Sequence, residues 1–378
     1  MGFFNRRGRD GTTTTNHHQM NDTRRSRHVT STYSMATRPS FGQWLKVTWL
    51  DILTFVIMGA IGLGIYEAPP APTRSFAVTF SDGEVVYPQF AYPLRKEIIP
   101  IWLAAFLAAI VPIIGILVMQ IRVRSFWDVN NGIIGLLYSL IGAAVFQVFL
   151  KFLIGGLRPH FLDVCKPDIS LAKNGAGIEG SPYNAAGFKQ LYFTREICTG
   201  DPKEINDSLE SFPSGHTTAA FAGFVYLYLY LNAKLKVFAN YHAPMWKLIV
   251  IYIPILGAVL IGGALTIDEF HNWYDVFAGA VIGTMMAFTA YRMCYAAIWD
   301  WRFNHIPLNR SQACMYTADG ELADAVFTRR VGWGVGGPST YGDKYPSNGH
   351  GMYSSGAAGP GIPRKAVPGG QHHGDDMV

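Results

Sequence analysis

Three short polar islands stand at the edges of apolar stretches in this chain of 378 residues. Lys151 is followed seven positions on by Arg158-Pro159. Pro213-Ser214-Gly215-His216 comes next, and then His271 with Asp275 four positions later. Two cations can neutralise a phosphate, and a hydroxyl beside a glycine amide can hydrogen-bond it. A histidine backed by a carboxylate can act as a nucleophile while a second histidine handles a proton. Together these residue types suit removal of a phosphoryl group from an oxygen without a metal.

Each island has a plainer reading when taken alone. Lys151 and Arg158 are two helical turns apart, so they share a face if the helix persists until Pro159 breaks it; singly, either could be a cation snorkelling to the lipid headgroups. Pro213-Ser214 reads as a helix start whose free N–H groups and dipole can cradle an anion, with Gly215 allowing close backbone approach. It could equally be an ordinary N-cap with a locally bonded His216. His271 and Asp275 share a helical face, so the carboxylate can hold one ring nitrogen and leave the other nucleophilic. A metal-ligand arm is the alternative, but no clustered carboxylates or thiolates accompany it, and no metal or cofactor is expected.

The elements that must position these residues are membrane helices. Hydrophobic residues make up 49% of the chain and charged residues 15%, well below the roughly one quarter charged of a soluble domain. Six stretches approach the roughly 17–25 apolar residues that cross a bilayer: Val47–Tyr66, Ile98–Met119, Gly132–Leu150, His216–Ala233, Leu248–Thr266 and Val276–Tyr295. The fourth and sixth are the least apolar. The pattern predicts an all-α membrane protein with six transmembrane helices. It comprises a basic, disordered N-terminus (1–42), a six-span domain (43–299) and a largely disordered Gly/Pro/Ser-rich tail (300–378). The first span begins too late for a secretory signal and reads as a retained anchor.

Basic residues place the ends. Arg and Lys crowd ahead of the first span, between spans two and three (Arg122, Arg124), between four and five (Lys234, Lys236, Lys247), and after the sixth. The positive-inside tendency then makes both termini cytosolic and puts all three islands on the luminal or extracytosolic face; the particular membrane is not specified. The basic residues are dispersed and not interleaved with aromatics, which argues against nucleic acid as a partner. Cys165 and Cys198 fall in the long loop on the non-cytosolic side, where disulfides persist, so they are expected to pair, with four unpaired thiols as the alternative. Asn206-Asp207-Ser208 in that loop is a glycosylation acceptor pattern, whereas the patterns at Asn21 and Asn309 lie on the cytosolic side. A hairpin is expected around Ser81-Asp82-Gly83, and small residues such as Gly279-Ala280 offer close helix contacts.

Beyond the minimal motifs, the runs from Lys151 to Cys165, from Cys198 to Asp201 and from Ser211 to His216 are similar to lipid-phosphatase sequence. Across about residues 43–299 the chain resembles the type-2 phosphatidate phosphatase (lipid phosphate phosphatase) superfamily, particularly the fungal-type diacylglycerol pyrophosphate phosphatases. The superfamily's soluble relatives include vanadium haloperoxidases. The resemblance implies a six-span helical core and a membrane enzyme that hydrolyses phosphatidate or diacylglycerol pyrophosphate without metal. It also implies that His271 becomes the phosphohistidine, Asp275 orients it, His216 protonates the leaving oxygen, and Lys151, Arg158, Ser214 and the Gly215 amide bind the phosphate. The implied partners are a lipid phosphate and the bilayer; oligomeric state is not legible. One departure stands out. The family's third motif has Ser-Arg beginning seven residues before the histidine, and here those positions are Ala264-Leu265. Loss of one such donor costs about a hundred- to a thousandfold in rate by analogy with oxyanion donors. The alternatives to hydrolysis are therefore a silent lipid-binding protein of the same fold and a lipid phosphotransferase.

Overall fold

The computed structural model describes residues 38–68, 75–80, 83–172, 192–310 and 314. Residues 1–37 and most of 311–378 of the expected disordered ends, and Ser81 and Asp82 of the expected hairpin, lie outside them, whereas 38–42 and 300–310 are described and ordered. Six long helices form the frame: α1 (Phe41–Tyr66), α2 (Ile101–Val123), α3 (Phe126–Leu153), α6 (Gly215–Leu235), α7 (Met245–Ile267) and α8 (Trp273–Cys294). Two short helices, α4 (Phe161–Cys165) and α5 (Pro202–Ser208), belong to the long loop between α3 and α6. Ser40 caps α1 in a reciprocal capping box with Gln43, and Ser125 caps α3 after a turn whose Arg124 is left-handed.

Five of the six long helices are long and apolar enough to cross a membrane, one fewer than the six expected; the exception is α6, which still runs from the island end of the bundle to the opposite end. The reason is its position. α6 packs against α2, α3, α7 and α8, so its surface meets protein and not lipid. Tyr226, Tyr230, Asn232 and Lys234 are all buried along it. A helix shielded on every side does not need apolar side chains, only satisfied ones. The apolar faces of α1, α2 and α7 are broadly exposed instead, with Leu63, Ile121 and Leu260 among their open side chains. That is the distribution of an integral membrane protein, in which lipid replaces water as the outer solvent.

Close approach of α8 to α6 depends on small residues. A Cβ at Gly279 would lie 2.7 Å from the Ser214 carbonyl oxygen, and one at Gly283 would lie 2.5 Å from that of Thr218. Both clashes are with backbone, so α8 would have to move away, carrying Asp275 with it.

The end of the bundle opposite the islands is closed by a buried polar knot. Lys234 is ion-paired with Asp128, Tyr230 donates to the same carboxylate at 2.7 Å, and Lys234 also donates to the His305 carbonyl at 2.9 Å. Residues beyond α8 fold back into this knot, through Leu308 N–H to the Cys294 carbonyl and Tyr291 Oη to the Asn304 carbonyl at 2.7 Å. The packed unit thus runs on to Arg310, which is ion-paired with Asp51 of α1.

The end that carries the islands is covered by a small layer with its own core. Strand β1 (Ser75–Ala77) pairs antiparallel with β2 (Tyr192–Thr194), Phe76 opposite Phe193. Phe76, Phe161, Phe193, Ile197, Ile205 and Leu209 pack beneath it. A disulfide joins Cys165 to Cys198, with S–S 2.02 Å. Thr79 also bridges to Val85, with Gly83 at φ 91°.

Candidate active site

The three islands meet at one end of the bundle, at the C-terminus of α3 and the N-termini of α6 and α8. Backbone ladders join the first two. Gly156 N–H donates to the Leu209 carbonyl, Arg158 N–H to Ser208, Ser211 N–H to Gly156 and Phe212 N–H to Gly155. Gly155 and Gly156, at φ 53° and 120°, take the chain out of α3. This corrects the expectation of a helix persisting to Pro159: α3 ends at Leu153, and Arg158 is brought to the site by the ladder. The second and third islands are joined by Ser214 N–H to the Asp275 carbonyl at 3.1 Å. The first and third are joined by Asn272 Nδ2 to the Leu157 carbonyl at 3.1 Å and by His160 Nδ1 to the Glu269 carbonyl at 2.9 Å. Glu269 sits at φ 61°, a conformation costing about 1–3 kcal/mol for a residue with a Cβ. It redirects the chain between α7 and His271.

His271 is 3% exposed, and its Nδ1 lies 3.6 Å from Asp275 Oδ2. That is charge contact and longer than a hydrogen bond. Burial pushes the His271 imidazole down to about 4, against the pull of Asp275, so the ring is neutral at physiological pH and one of its nitrogens carries a lone pair. Asp275 is fixed by other partners. Its Oδ2 accepts from Ser211 Oγ at 2.5 Å, from Asn272 N–H at 2.9 Å and from Asn272 Nδ2 at 3.2 Å. The Asn272–Asp275 arrangement is the capping box of α8, so the cap that starts the helix also fixes the carboxylate. The His216 and His271 rings meet edge to face, with centroids 6.3 Å apart.

Lys151 and Arg158 both act electrostatically on His216 and on His271. Arg158 is 5% exposed, lies over the Phe270 ring at 5.5 Å and pairs with Asp207 at 2.7 Å. Lys151 stands 3.7 Å from Glu210. Asp207 is drawn below the usual carboxylate range: burial would raise it, but Arg158 and Lys151 outweigh burial. Ser214 is the N-cap of α6, its Oγ accepting from Thr217 N–H at 3.4 Å and Thr217 Oγ1 at 3.1 Å. A Cβ at Gly215 would make only ordinary contact with Gln147 at 3.6 Å, and Gln147 Nε2 donates to the Pro213 carbonyl. Asn206 lies within α5, its amide oxygen buried. Arg158 Nε, His216 Nε2 and His271 Nδ1 are buried without hydrogen-bond partners.

Sequence reasoning assigned no role to Ser211, Asn272, Asp207, Glu210 or Glu97. The capping pattern Asn272-x-x-Asp275 was the one local signal available; the others come from loops whose folding the sequence does not announce. Ala264 and Leu265 are both buried near the end of α7. The Leu265 carbonyl accepts from both Phe270 N–H and His271 N–H at 3.1 Å. Its side chain lies one turn beyond Gly262, whose open face meets Val276 and Thr217. The position therefore lies on the side of α7 toward the start of α6 and α8, with leucine where the family motif has arginine.

The fold and site together define an integral membrane protein with a buried pair of histidines beside two cations. The sequence model of the PAP2 superfamily matches residues 132–299, which contain all three islands. Lipid phosphate phosphatase 1 of Arabidopsis thaliana is 34% identical over 250 residues, covering 66% of this chain and 68% of that protein. Diacylglycerol pyrophosphate phosphatase 1 of Saccharomyces cerevisiae is 29% identical over 286 residues, covering 74% of this chain and 89% of that protein. The Schizosaccharomyces pombe protein named "Probable diacylglycerol pyrophosphate phosphatase 1" is 28% identical over 260 residues, covering 67% of this chain and 85% of that protein. This chain belongs to the PAP2 superfamily. No solved structure matches it.

Proposed function

We propose that this protein is a membrane phosphatase that hydrolyses lipid phosphate monoesters such as phosphatidate or pyrophosphates such as diacylglycerol pyrophosphate through a phosphohistidine, its relatives' names being those of lipid phosphate and diacylglycerol pyrophosphate phosphatases. The observation that carries the proposal is the edge-to-face pair His216 and His271 beside Lys151 and Arg158, with unpartnered polar atoms on three of the four. Lys151 and Arg158 neutralise the phosphate, with the Ser214 hydroxyl and Gly215 amide completing the cradle. Nε2 of His271 attacks phosphorus as the phosphorus–oxygen ester bond breaks, and His216 gives a proton to the leaving oxygen. Water then loses a proton to His216 and attacks the phosphohistidine, releasing phosphate and restoring both rings. Asp275 holds the ring and offsets the positive charge that His271 acquires. The two cations supply the charge neutralisation that a metal provides elsewhere, so turnover is metal-independent.

The site faces the extracytosolic side, and both termini face the cytosol. The basic residues Arg122, Arg124, Lys236 and Lys247 at the opposite end of the bundle support this orientation. A glycosidase-sensitive mass shift lost in Asn206→Gln fits it; a glycan at Asn21 or Asn309 overturns it.

The test of the activity is phosphate release by purified protein from a panel of lipid phosphates, with and without chelator. His271→Ala is expected to abolish turnover and any acid-labile phosphoenzyme, and vanadate is expected to inhibit. Full activity of His271→Ala, or strict dependence on magnesium, would overturn the mechanism. No release from any lipid phosphate by folded wild type would favour the silent reading that Leu265 raises.

A further inference from the structure

The segment Tyr92–Ile98, just ahead of α2, is a strap across the site. Tyr92 N–H donates to the Pro159 carbonyl at 3.1 Å, Leu94 N–H to Asp163 Oδ2 at 2.9 Å, Arg95 Nη1 to the Ile267 carbonyl at 3.1 Å, and Ile98 N–H to Asp268 Oδ2 at 3.1 Å. These anchors lie within five residues after Arg158 (Pro159, Asp163) and within four before His271 (Ile267, Asp268). The strap is therefore in register with the first and third islands. Its Glu97, half-buried, reaches the second: Oε1 lies 3.8 Å from Nε2 of His216. The backbone of Ile99, the residue after the strap, also acts on the His216 ring. One segment thus brings a carboxylate within charge contact of the His216 ring, at a distance longer than a hydrogen bond.

The charges around this pair make the contact consequential. A proton on His216 alone would add a third cation beside Lys151 and Arg158, with His271 also facing it. Glu97 is faced by Arg158, Asp207, Asp268 and Lys151, besides His216 itself. Shared between Glu97 and His216, one proton leaves the pair neutral whichever group holds it. Burial, His271 and the two cations oppose a proton on His216, whereas a carboxylate within about 4–6 Å favours an imidazolium, whose N–H would point at the carboxylate until a leaving oxygen arrives.

We infer that Glu97 is a positioning residue for the leaving-group proton: it holds that proton on Nε2 of His216, from which it passes to the ester oxygen as the phosphorus–oxygen bond breaks. When water attacks the phosphohistidine, its proton returns to the same pair, so proton count and charge close over the cycle. Burial raises the Glu97 carboxyl above its usual range, consistent with a group that shares a proton.

This rests on the lipid phosphatase reading above, and the experiment separates the two. Purified Glu97→Gln, Glu97→Asp, His216→Ala, the Glu97→Gln/His216→Ala pair and His271→Ala are assayed on phosphatidate micelles, whose alkoxide leaving group needs a proton, and on 4-nitrophenyl phosphate, whose phenoxide needs little. General acids contribute about 10²–10⁴-fold. Glu97→Gln is expected to lose about 10- to 100-fold in kcat on phosphatidate and less than about threefold on the aryl ester. Its alkaline limb moves to lower pH, because the neutral amide holds the proton on His216 less well. Glu97→Asp recovers part of the loss, and the double variant matches His216→Ala alone. A purely structural strap would lower both substrates together. Equal losses on the two substrates, no loss on either, or additive effects in the double variant overturn the inference while leaving the phosphatase intact. Activity surviving in His271→Ala overturns the phosphatase mechanism instead.

Discussion

Replacing Asp275 with asparagine separates the carboxylate's charge from its role as a helix cap. An asparagine whose Oδ1 takes the place of the wild-type Oδ2 keeps the bonds from Ser211 Oγ and Asn272 N–H. Its NH2 group then stands where the wild-type Oδ1 is buried without a partner. One orphaned donor costs about 1–3 kcal/mol, so the variant folds with a lowered melting temperature. The rate is governed by charge. A full charge at the 3.6 Å separation of His271 Nδ1 and Asp275 Oδ2 is worth about 5 kcal/mol at an effective dielectric of about 20. The imidazolium-like ring of the intermediate spreads its charge over two nitrogens, so roughly half of that is felt, about 2–3 kcal/mol. At about 1.4 kcal/mol per tenfold, phosphoenzyme formation should slow by about 10²-fold. The assay is single-turnover labelling of the protein from a radiolabelled lipid phosphate in detergent micelles, alongside thermal unfolding. Phosphoenzyme forming within threefold of the wild-type rate, with melting lowered as expected, would make Asp275 a cap alone and refute its role beside the nucleophile.

The double change Ala264→Ser with Leu265→Arg should raise turnover severalfold if the guanidinium meets the phosphate. A loss of melting temperature with no gain in rate would show a site closed to it. His271 has a folded pKa of about 4 against roughly 6.5 unfolded, so the unfolded chain binds the extra proton between those values. Its stabilising contribution is therefore full above pH 6.5 and is lost as pH falls toward 4, with a slope of at most about 1.4 kcal/mol per pH unit. Melting curves from pH 7.5 to 5 should flatten in His271→Gln, and an unchanged slope would contradict the assignment. Removing the disulfide by Cys165→Ala with Cys198→Ala frees a 33-residue separation, which chain entropy values at about 3–4 kcal/mol; reductant should lower wild-type melting to match and leave the variant unmoved. At the far end of the bundle, Lys234→Met strands the buried Asp128 charge at a cost of about 3–5 kcal/mol. Adding Asp128→Asn should recover part of it, and a double variant less stable than either single would contradict the pairing.

The sequence alone determined the residue types at the centre of this site and the helices that carry them. Apolar runs of bilayer length can only be helices, because lipid offers no partner to an open backbone. His271, expected to share a helical face with Asp275, lies before the Asn272 cap and outside α8, whereas Asn272 and Asp275 stand at the spacing of a capping box and Ser214 precedes α6 with the local chemistry of a cap. Such features depend on neighbours in sequence, so a linear reading finds them. The exposure of α6 was less legible: its moderate polarity marked it as a weak span, but only the packing of four helices around it explains why polar side chains are tolerated there.

The tertiary structure decided what lies between the islands. Arg158 arrives through a backbone ladder with residues 208–212, and not along α3. The pairing of Ser75–Ala77 with Tyr192–Thr194 joins loops more than a hundred residues apart, and no local pattern encodes which distant partner a three-residue strand will choose. Ser211 on Asp275, Asp207 on Arg158 and Glu97 beside His216 are contacts of this second kind. Each is one unremarkable polar residue in a loop until the helices converge and bring its partner within reach. Chain connectivity fixes what is near in sequence, whereas burial and hydrogen bonding in the folded bundle fix what is near in space, and the charge balance around the two histidines is set by the latter.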